Sequence, residues 1–93
     1  MGYIFKWDPR KAESNLRKHG VGFDEASTVF GDPFALLMPD PDHSLEEVRY
    51  ILLGMSNRAK LLVVSFADRP PHTRLISARY AMRRERMKYE EGN

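Results

Sequence analysis

Hydrophobic and polar positions change their period twice along the 93 residues of this chain. Tyr3 to Trp7 is a short aromatic and β-branched run and predicts a strand. Asp8-Pro9 then predicts a helix start, with Asp8 as cap and Pro9 in the first turn, where its missing N–H costs nothing. That helix runs to about His19, and Gly20 supplies the left-handed residue that stops it. Its spacing puts Ala12, Leu16 and His19 on the inward stripe with Asn15 beside it, and Lys11 and Lys18 on the neighbouring face. A second, shorter helix is predicted over Asp24 to Phe30, burying Ala26, Val29 and Phe30 before Gly31-Asp32-Pro33 breaks it.

From there the pattern is that of strands. Phe34 to Met38 is an apolar run of strand length, Pro39 to Asp42 a turn, and Glu47 to Leu53 alternates. Gly54 to Ala59 reads as a hairpin connection, and Lys60 to Ala67 as a strand apolar on both faces, hence central and covered on both sides. Asp68 to His72 turns the chain. After Pro70-Pro71, Leu75 and Ile76 read as strand, and a helix is predicted from Ser77 as cap to Tyr89. On helical spacing Ala78, Ala81, Met82, Glu85 and Tyr89 form one stripe of it. The order β-α-α-β-β-β-β-α, with short connections between strands, predicts one α+β domain. It is an antiparallel sheet packed by two N-terminal helices and one C-terminal helix.

Charge adds an asymmetry to this picture. The net charge is +2, but residues 1–46 hold five Lys/Arg against eight Asp/Glu, and residues 47–93 hold ten against five. The densest cluster is Arg79, Arg83, Arg84, Arg86 and Lys88. A basic C-terminal half fits an anionic partner such as nucleic acid, and equally a solvated face. There is no cysteine, no apolar run long enough for a membrane span and no secretion signal, so the expected location is the cytoplasm.

Candidate chemistry is sparse. His19, His43 and His72 have no ligand spacing among themselves or with acids, so no metal is expected. His43 falls on a turn beside Asp40 and Asp42, and His19 at a helix C-terminus suits the helix dipole. No phosphate loop, nucleophile motif or dinucleotide fingerprint is present, and no cofactor is expected. A small basic surface without these is suited to RNA cleavage, in which the substrate's 2′-OH is the nucleophile. The protein then supplies a base, an acid and cations around the phosphate. Arginine suits the last role because its fork grips two phosphate oxygens. Glu85 with Arg79 is a candidate base, although an ion pair fixing the last helix to the sheet is the simpler reading of the two. Trp7 is either core or a base-stacking surface. Arg69, on the Asp68-Arg69-Pro70-Pro71 hairpin, and Arg58, on the preceding one, are either solvated or phosphate contacts.

Together these residues form a recognisable series. Phe5-x-Trp7-Asp8-x-x-Lys11-Ala12-x-x-Asn15-Leu16-x-Lys18-His19-Gly20-Val21 opens it, followed by Val29-Phe30-x-Asp32-Pro33, Asp42-His43-Ser44 and Ile76-Ser77-Ala78-Arg79-x-Ala81-x-x-x-Glu85. The chain resembles the BrnT family of bacterial type II toxins over nearly its whole length. The resemblance implies a RelE-like domain, metal-independent ribonuclease activity that blocks translation, and a BrnA-like antitoxin with a ribbon-helix-helix part. It further implies a complex of two toxins and two antitoxins that meets operator DNA through the antitoxin. Carried to this sequence, it points to Arg79, Glu85, Arg69, Lys18 and His19 as catalytic residues. Trp7 and Lys11, joined by Arg83 of the basic cluster, are the RNA contacts. A non-catalytic RNA- or ribosome-binding module and a protein-interaction subunit of a repressor complex are the alternatives.

Overall fold

The computed structural model describes residues 2–40 and 47–92; the turn from Pro41 and the loop carrying His43 lie outside them. Strand β1 (Ile4–Lys6) leads into helix α1 (Pro9–His19), helix α2 (Phe23–Ser27) and a 3₁₀ turn (Thr28–Gly31). Strands β2 (Leu36–Pro39), β3 (Arg49–Met55), β4 (Leu61–Arg69) and β5 (His72–Tyr80) follow, and helix α3 (Arg83–Glu91) closes the chain. The five strands form one sheet in the order β1-β5-β4-β3-β2. All neighbours are antiparallel except β1, which lies parallel to β5 with Ile4 opposite His72. The expectation of an antiparallel sheet therefore holds for the four consecutive strands. It fails at β1, whose partner comes from the far end of the chain.

The helix ends are formed as their residues dictate. The Asp8 carboxylate accepts the Arg10 N–H at 2.8 Å, and Gly20, at φ 73°, donates its N–H to Leu16 O at 2.9 Å. β4 occupies the centre of the sheet and is apolar on both sides. Leu62, Val64 and Phe66 join Val21, Phe23, Ala26, Val29, Leu75 and Ala78 in the larger core under α1 and α2. Leu61 and Val63 join Leu53 in a smaller core on the opposite face, against Ala81 and Tyr89.

Two expectations are corrected here. The inward stripe of α1 is not Ala12, Leu16 and His19: Leu16 is 53% exposed, and the buried residue of the helix is Asn15. Its Oδ1 accepts the Ala78 N–H at 3.0 Å, and its Nδ2 donates to Ala78 O at 2.8 Å and to Val21 O at 2.9 Å. Both amide donors and one lone pair of the oxygen are thereby used. The amide serves the backbone edge of β5 as a neighbouring strand would, so a polar residue wins the buried position.

The second correction concerns Ser77 to Tyr80. These residues continue β5 and do not start a helix, and α3 begins only at Arg83 with Met82 as its cap. Pairing with β4 (Ser65 to Ser77, Val64 to Ala78, Val63 to Arg79) outweighs the local helical pattern. The register slips once, between Ser65 and Phe66, which leaves Ile76 as an extra residue in β5. The slip turns Leu75 and Ala78 to the same face, towards α1. Ser77 and Arg79 consequently point to the opposite face, where α3 lies.

α3 is held differently from the other helices. It has no buried residue, whereas a fully buried Leu or Val contributes roughly 1.5–3 kcal/mol. Two carboxylates anchor it instead. Glu85 pairs with Arg79, and the Tyr89 hydroxyl donates to Asp32 Oδ2 at 2.6 Å. Asp32 also accepts the Met55 and Phe34 N–H groups, at 2.8 and 2.9 Å. Burial works to raise the Asp32 carboxyl, but these hydrogen bonds, that of Tyr89 foremost, hold it below its ordinary value. The same bond, with burial, pushes the Tyr89 phenol up to about 12. Glu85 is lowered mainly by the hydrogen bond from Arg79, against some burial.

Both anchoring carboxyls have folded pKa values below their ordinary 3.8 and 4.5. Their contribution is complete above those values and is lost as pH falls through the depressed ones. Acidification below about pH 4 should therefore release α3 before the sheet unfolds. Amide exchange will show protection lost first over Arg86–Glu91 and retained in β4; simultaneous loss in both would contradict this.

Candidate functional site

α1 presents a basic flank to the edge of β5. Lys11, Asn15 and Lys18 recur at helical spacing on one side, His19 follows, and with Ser14 they line a groove whose other wall is Ile76 and Ser77. Asn15 sets this arrangement, since its bonds to Ala78 fix the distance between helix and strand. Lys11 and Lys18 are exposed and His19 is half-buried. Ser77 lies two residues from Arg79 on the same side of β5, about 7 Å along the strand. Arg79 itself does not line the groove.

Arg79 and Glu85 form a parallel two-bond pair. Nη1 donates to Oε1 at 2.9 Å and Nη2 to Oε2 at 2.7 Å. Nη1 also donates to Tyr80 O at 3.2 Å, and Glu85 Oε1 accepts the Met82 N–H at 2.8 Å. The guanidinium plane is fixed by these contacts, while about a third of the side chain remains exposed. Its end-on fork is occupied by Glu85. Its side-on fork, the Nε–H with the second Nη2–H, has no partner among the described residues. The hydrogen bonds with Glu85, opposed by burial, push Arg79 above its ordinary value, so it stays cationic. The same contact lowers the basicity of Glu85.

The remaining candidates are not gathered at this groove. Trp7, 37% exposed, meets the Phe23 ring edge-on at 5.9 Å beside Ala12, Glu13, Leu16 and Asp24, on the neighbouring flank of α1. Arg83 opens α3 two residues before Glu85 and faces outward with Arg84, Met87 and Lys88. Arg69 pairs with His72 at the start of β5, seven residues or roughly 23 Å along the strand from Arg79. One phosphate cannot reach both arginines.

Reading the sequence alone missed Glu47 and the company it keeps. Its carboxylate, 10% exposed, accepts a hydrogen bond from Arg49 at 3.2 Å, forms an ion pair with Arg69 at 3.0 Å, and pairs with Arg74 in a shorter contact. Burial works to raise the Glu47 carboxyl, but the charge of Arg74, then Arg49 and Arg69, holds it below the ordinary range. Only the period-two placement of Glu47 and Arg49 on one face hinted at this; the other two arginines arrive through sheet register. Glu25, a buried acid, accepts the Ser56 hydroxyl at 2.7 Å, which ties α2 to the β3–β4 turn. Among the described residues, no three His, Asp or Glu side chains gather as metal ligands. No helix there is long and apolar enough to cross a membrane.

Comparison with known proteins places this geometry in a family. No curated protein matches the chain. Among solved structures, it is similar to the 1.1 Å crystal structure of the ribonuclease toxin BrnT of Brucella abortus. The TM-score is 0.68 at 22% identity, covering 88% of this chain and all of that one, which shows a shared fold. Residues 7–85 match the family described as "Ribonuclease toxin, BrnT, of type II toxin-antitoxin system", a span that holds α1, strands β2 to β5 and Glu85. The chain belongs to the BrnT family of ribonuclease toxins of type II toxin–antitoxin systems.

Proposed function

We propose that this toxin cleaves RNA without a metal ion, through the substrate's own 2′-hydroxyl, at the mouth of the groove between α1 and β5. The observation that carries this reading is Arg79, immobilised through one fork by Glu85 while its other fork stays open. A phosphodiester seated on the side-on fork would have two of its oxygens held by a permanent cation. In the transition state the bond from the 2′-oxygen to phosphorus forms as the bond from phosphorus to the 5′-oxygen breaks. The proton leaves the 2′-hydroxyl for a base, and another proton reaches the departing 5′-oxygen. The products are a 2′,3′-cyclic phosphate and a 5′-hydroxyl. Arg79 stabilises the charge that grows on the phosphorane, and Lys11 adds a second cation.

Glu85 is a poor base in this arrangement because Arg79 holds its charged form, so it serves as the positioning residue of Arg79. Lys18 and His19 are assigned the proton transfers: an imidazole both accepts and donates, and an ammonium donates. Arg69 and Trp7 lie outside this catalytic group.

Membership of a type II toxin–antitoxin family supports an antitoxin partner. We assign a BrnA-like antitoxin with a ribbon-helix-helix part, in a complex of two toxins and two antitoxins that reaches operator DNA through the antitoxin. Light scattering on the co-purified pair should give the mass of four chains; that of one toxin with one antitoxin would contradict the stoichiometry.

Activity is tested on labelled RNA with EDTA present. The parent should cut to cyclic-phosphate ends. Arg79→Ala should lose about 10²–10³-fold in rate, and Arg79→Lys should recover little because lysine lacks the fork. RNA left intact by a folded parent would favour a non-catalytic binding module. Undiminished cutting by Arg79→Ala would remove Arg79 from the site.

A further inference from the structure

The part of the opposite sheet face that α3 leaves uncovered is basic, and strand register shows how it is assembled. Lys6 pairs with Arg74 across β1 and β5, Arg74 with Ala67, and Ala67 with Arg49. Arg69 pairs with His72. Side chains at directly paired positions point to the same side of a sheet. Lys6, Arg49, Arg69, His72 and Arg74 therefore share the face that carries Arg79. Between the two groups lie Ser65 and Ser77, paired with one another and half-buried on that same face.

At the centre of this basic end, Glu47 draws in Arg49, Arg69 and Arg74. Among the described residues joined by these ion pairs, three cations stand against one carboxylate, a charge of +2 (3 − 1) before Lys6 is added. One carboxylate accepts about four hydrogen bonds, while three guanidinium groups carry roughly fifteen N–H donors. Most of those donors are therefore not taken by Glu47. Arg74 Nε is buried with no hydrogen-bond partner among the described residues, whereas the Arg69 side chain is 61% exposed. A structural ion pair needs one arginine. Three, held side by side by a carboxylate that offsets their repulsion, make a binding surface for a second anion.

We propose that this cluster is a second phosphate-binding site, which grips the RNA backbone a few nucleotides from the bond being cut. Lys6 and Arg69 are its contacting side chains, and Glu47 is the positioning residue that holds the arginines together. The proposal rests on the ribonuclease reading and extends it. From Arg74 to Arg79 is about 16 Å along β5, a span that an extended strand of a few nucleotides bridges. The hydroxyls of Ser65 and Ser77 line the path between. Arg69, too far from Arg79 to share its phosphate, thereby finds a role at a different one.

The test is binding of the full chain to a fluorescent single-stranded RNA in which every 2′-hydroxyl is methylated, so that cleavage through it is blocked. Anisotropy is read across a salt series. The double variant Lys6→Ala/Arg69→Ala removes two exposed side chains and should keep the parent's far-UV spectrum and melting temperature. It should bind about tenfold more weakly at low salt. Its slope of log affinity against log salt should be shallower by about 1.4, twice the 0.7 expected for each lost single-strand contact. Arg10→Ala/Arg17→Ala removes the same charge from α1, on the other side of the sheet, and should bind like the parent. Equal affinities for the two double variants would overturn the site, whether both match the parent or both fall. No RNA binding by the parent would overturn both this site and the ribonuclease reading.

Discussion

The side-chain amide of Asn15 is the contact on which the arrangement of this protein depends. β1 covers β5 only as far as Arg74, so the remaining edge of β5 would expose backbone N–H and C=O groups, a liability in any sheet. Asn15 takes both groups of Ala78, and its last donor goes to Val21 O, just past the turn that ends α1. One side chain thus closes the sheet edge and fixes α1 along it. The Lys11, Lys18 and His19 flank then stands opposite Ile76 and Ser77 as a consequence. Leu16, with far more apolar surface to bury, is left outside because that position faces no strand.

The second organising feature is the use of carboxylates to hold arginines. Glu85 fixes Arg79 in a plane and joins α3 to the sheet, and Glu47 gathers Arg49, Arg69 and Arg74. In both places the acid orients cationic groups whose remaining donors are available to an anion. Exposed single ion pairs contribute little to stability, about 0–1 kcal/mol, so the gain here is orientation more than folding energy. α3, with no apolar side chain buried, is the element this makes most sensitive to charge.

Much of this was legible in the sequence where local chemistry decides the outcome. Asp8-Pro9 and Gly20 set the ends of α1, and the two-sided apolar run from Leu61 placed β4 in the middle of the sheet. The ion pair of Arg79 with Glu85 is the simpler reading of the sequence, although the predicted helix from Ser77 would hold both residues and they sit on β5 and α3. What the sequence concealed depends on distant partners. Ser77 to Tyr80 read as helix because their pairing with Leu62 to Ser65 and with Asn15 is invisible locally. The slip at Ile76 decides which face Arg79 takes, and its trace is that Leu75 and Ala78, three residues apart, are both buried. β1 runs parallel because its partner lies at the other end of the chain, and Glu47 meets two of its arginines only through the register of β4 and β5.

Asn15→Asp tests the hold of α1 on β5 with almost no change in shape. Aspartate keeps an acceptor for the Ala78 N–H but loses both donors, and sets a buried carboxylate against the carbonyls of Val21 and Ala78. Burial without those donors raises its folded pKa above the unfolded one. The penalty is then full at neutral pH and shrinks as acid protonates the group. Denaturant unfolding of parent and variant should show a loss of about 3 kcal/mol at pH 7 that narrows towards pH 5. A variant as stable as the parent at pH 7 would mean that the amide does not hold α1 to β5.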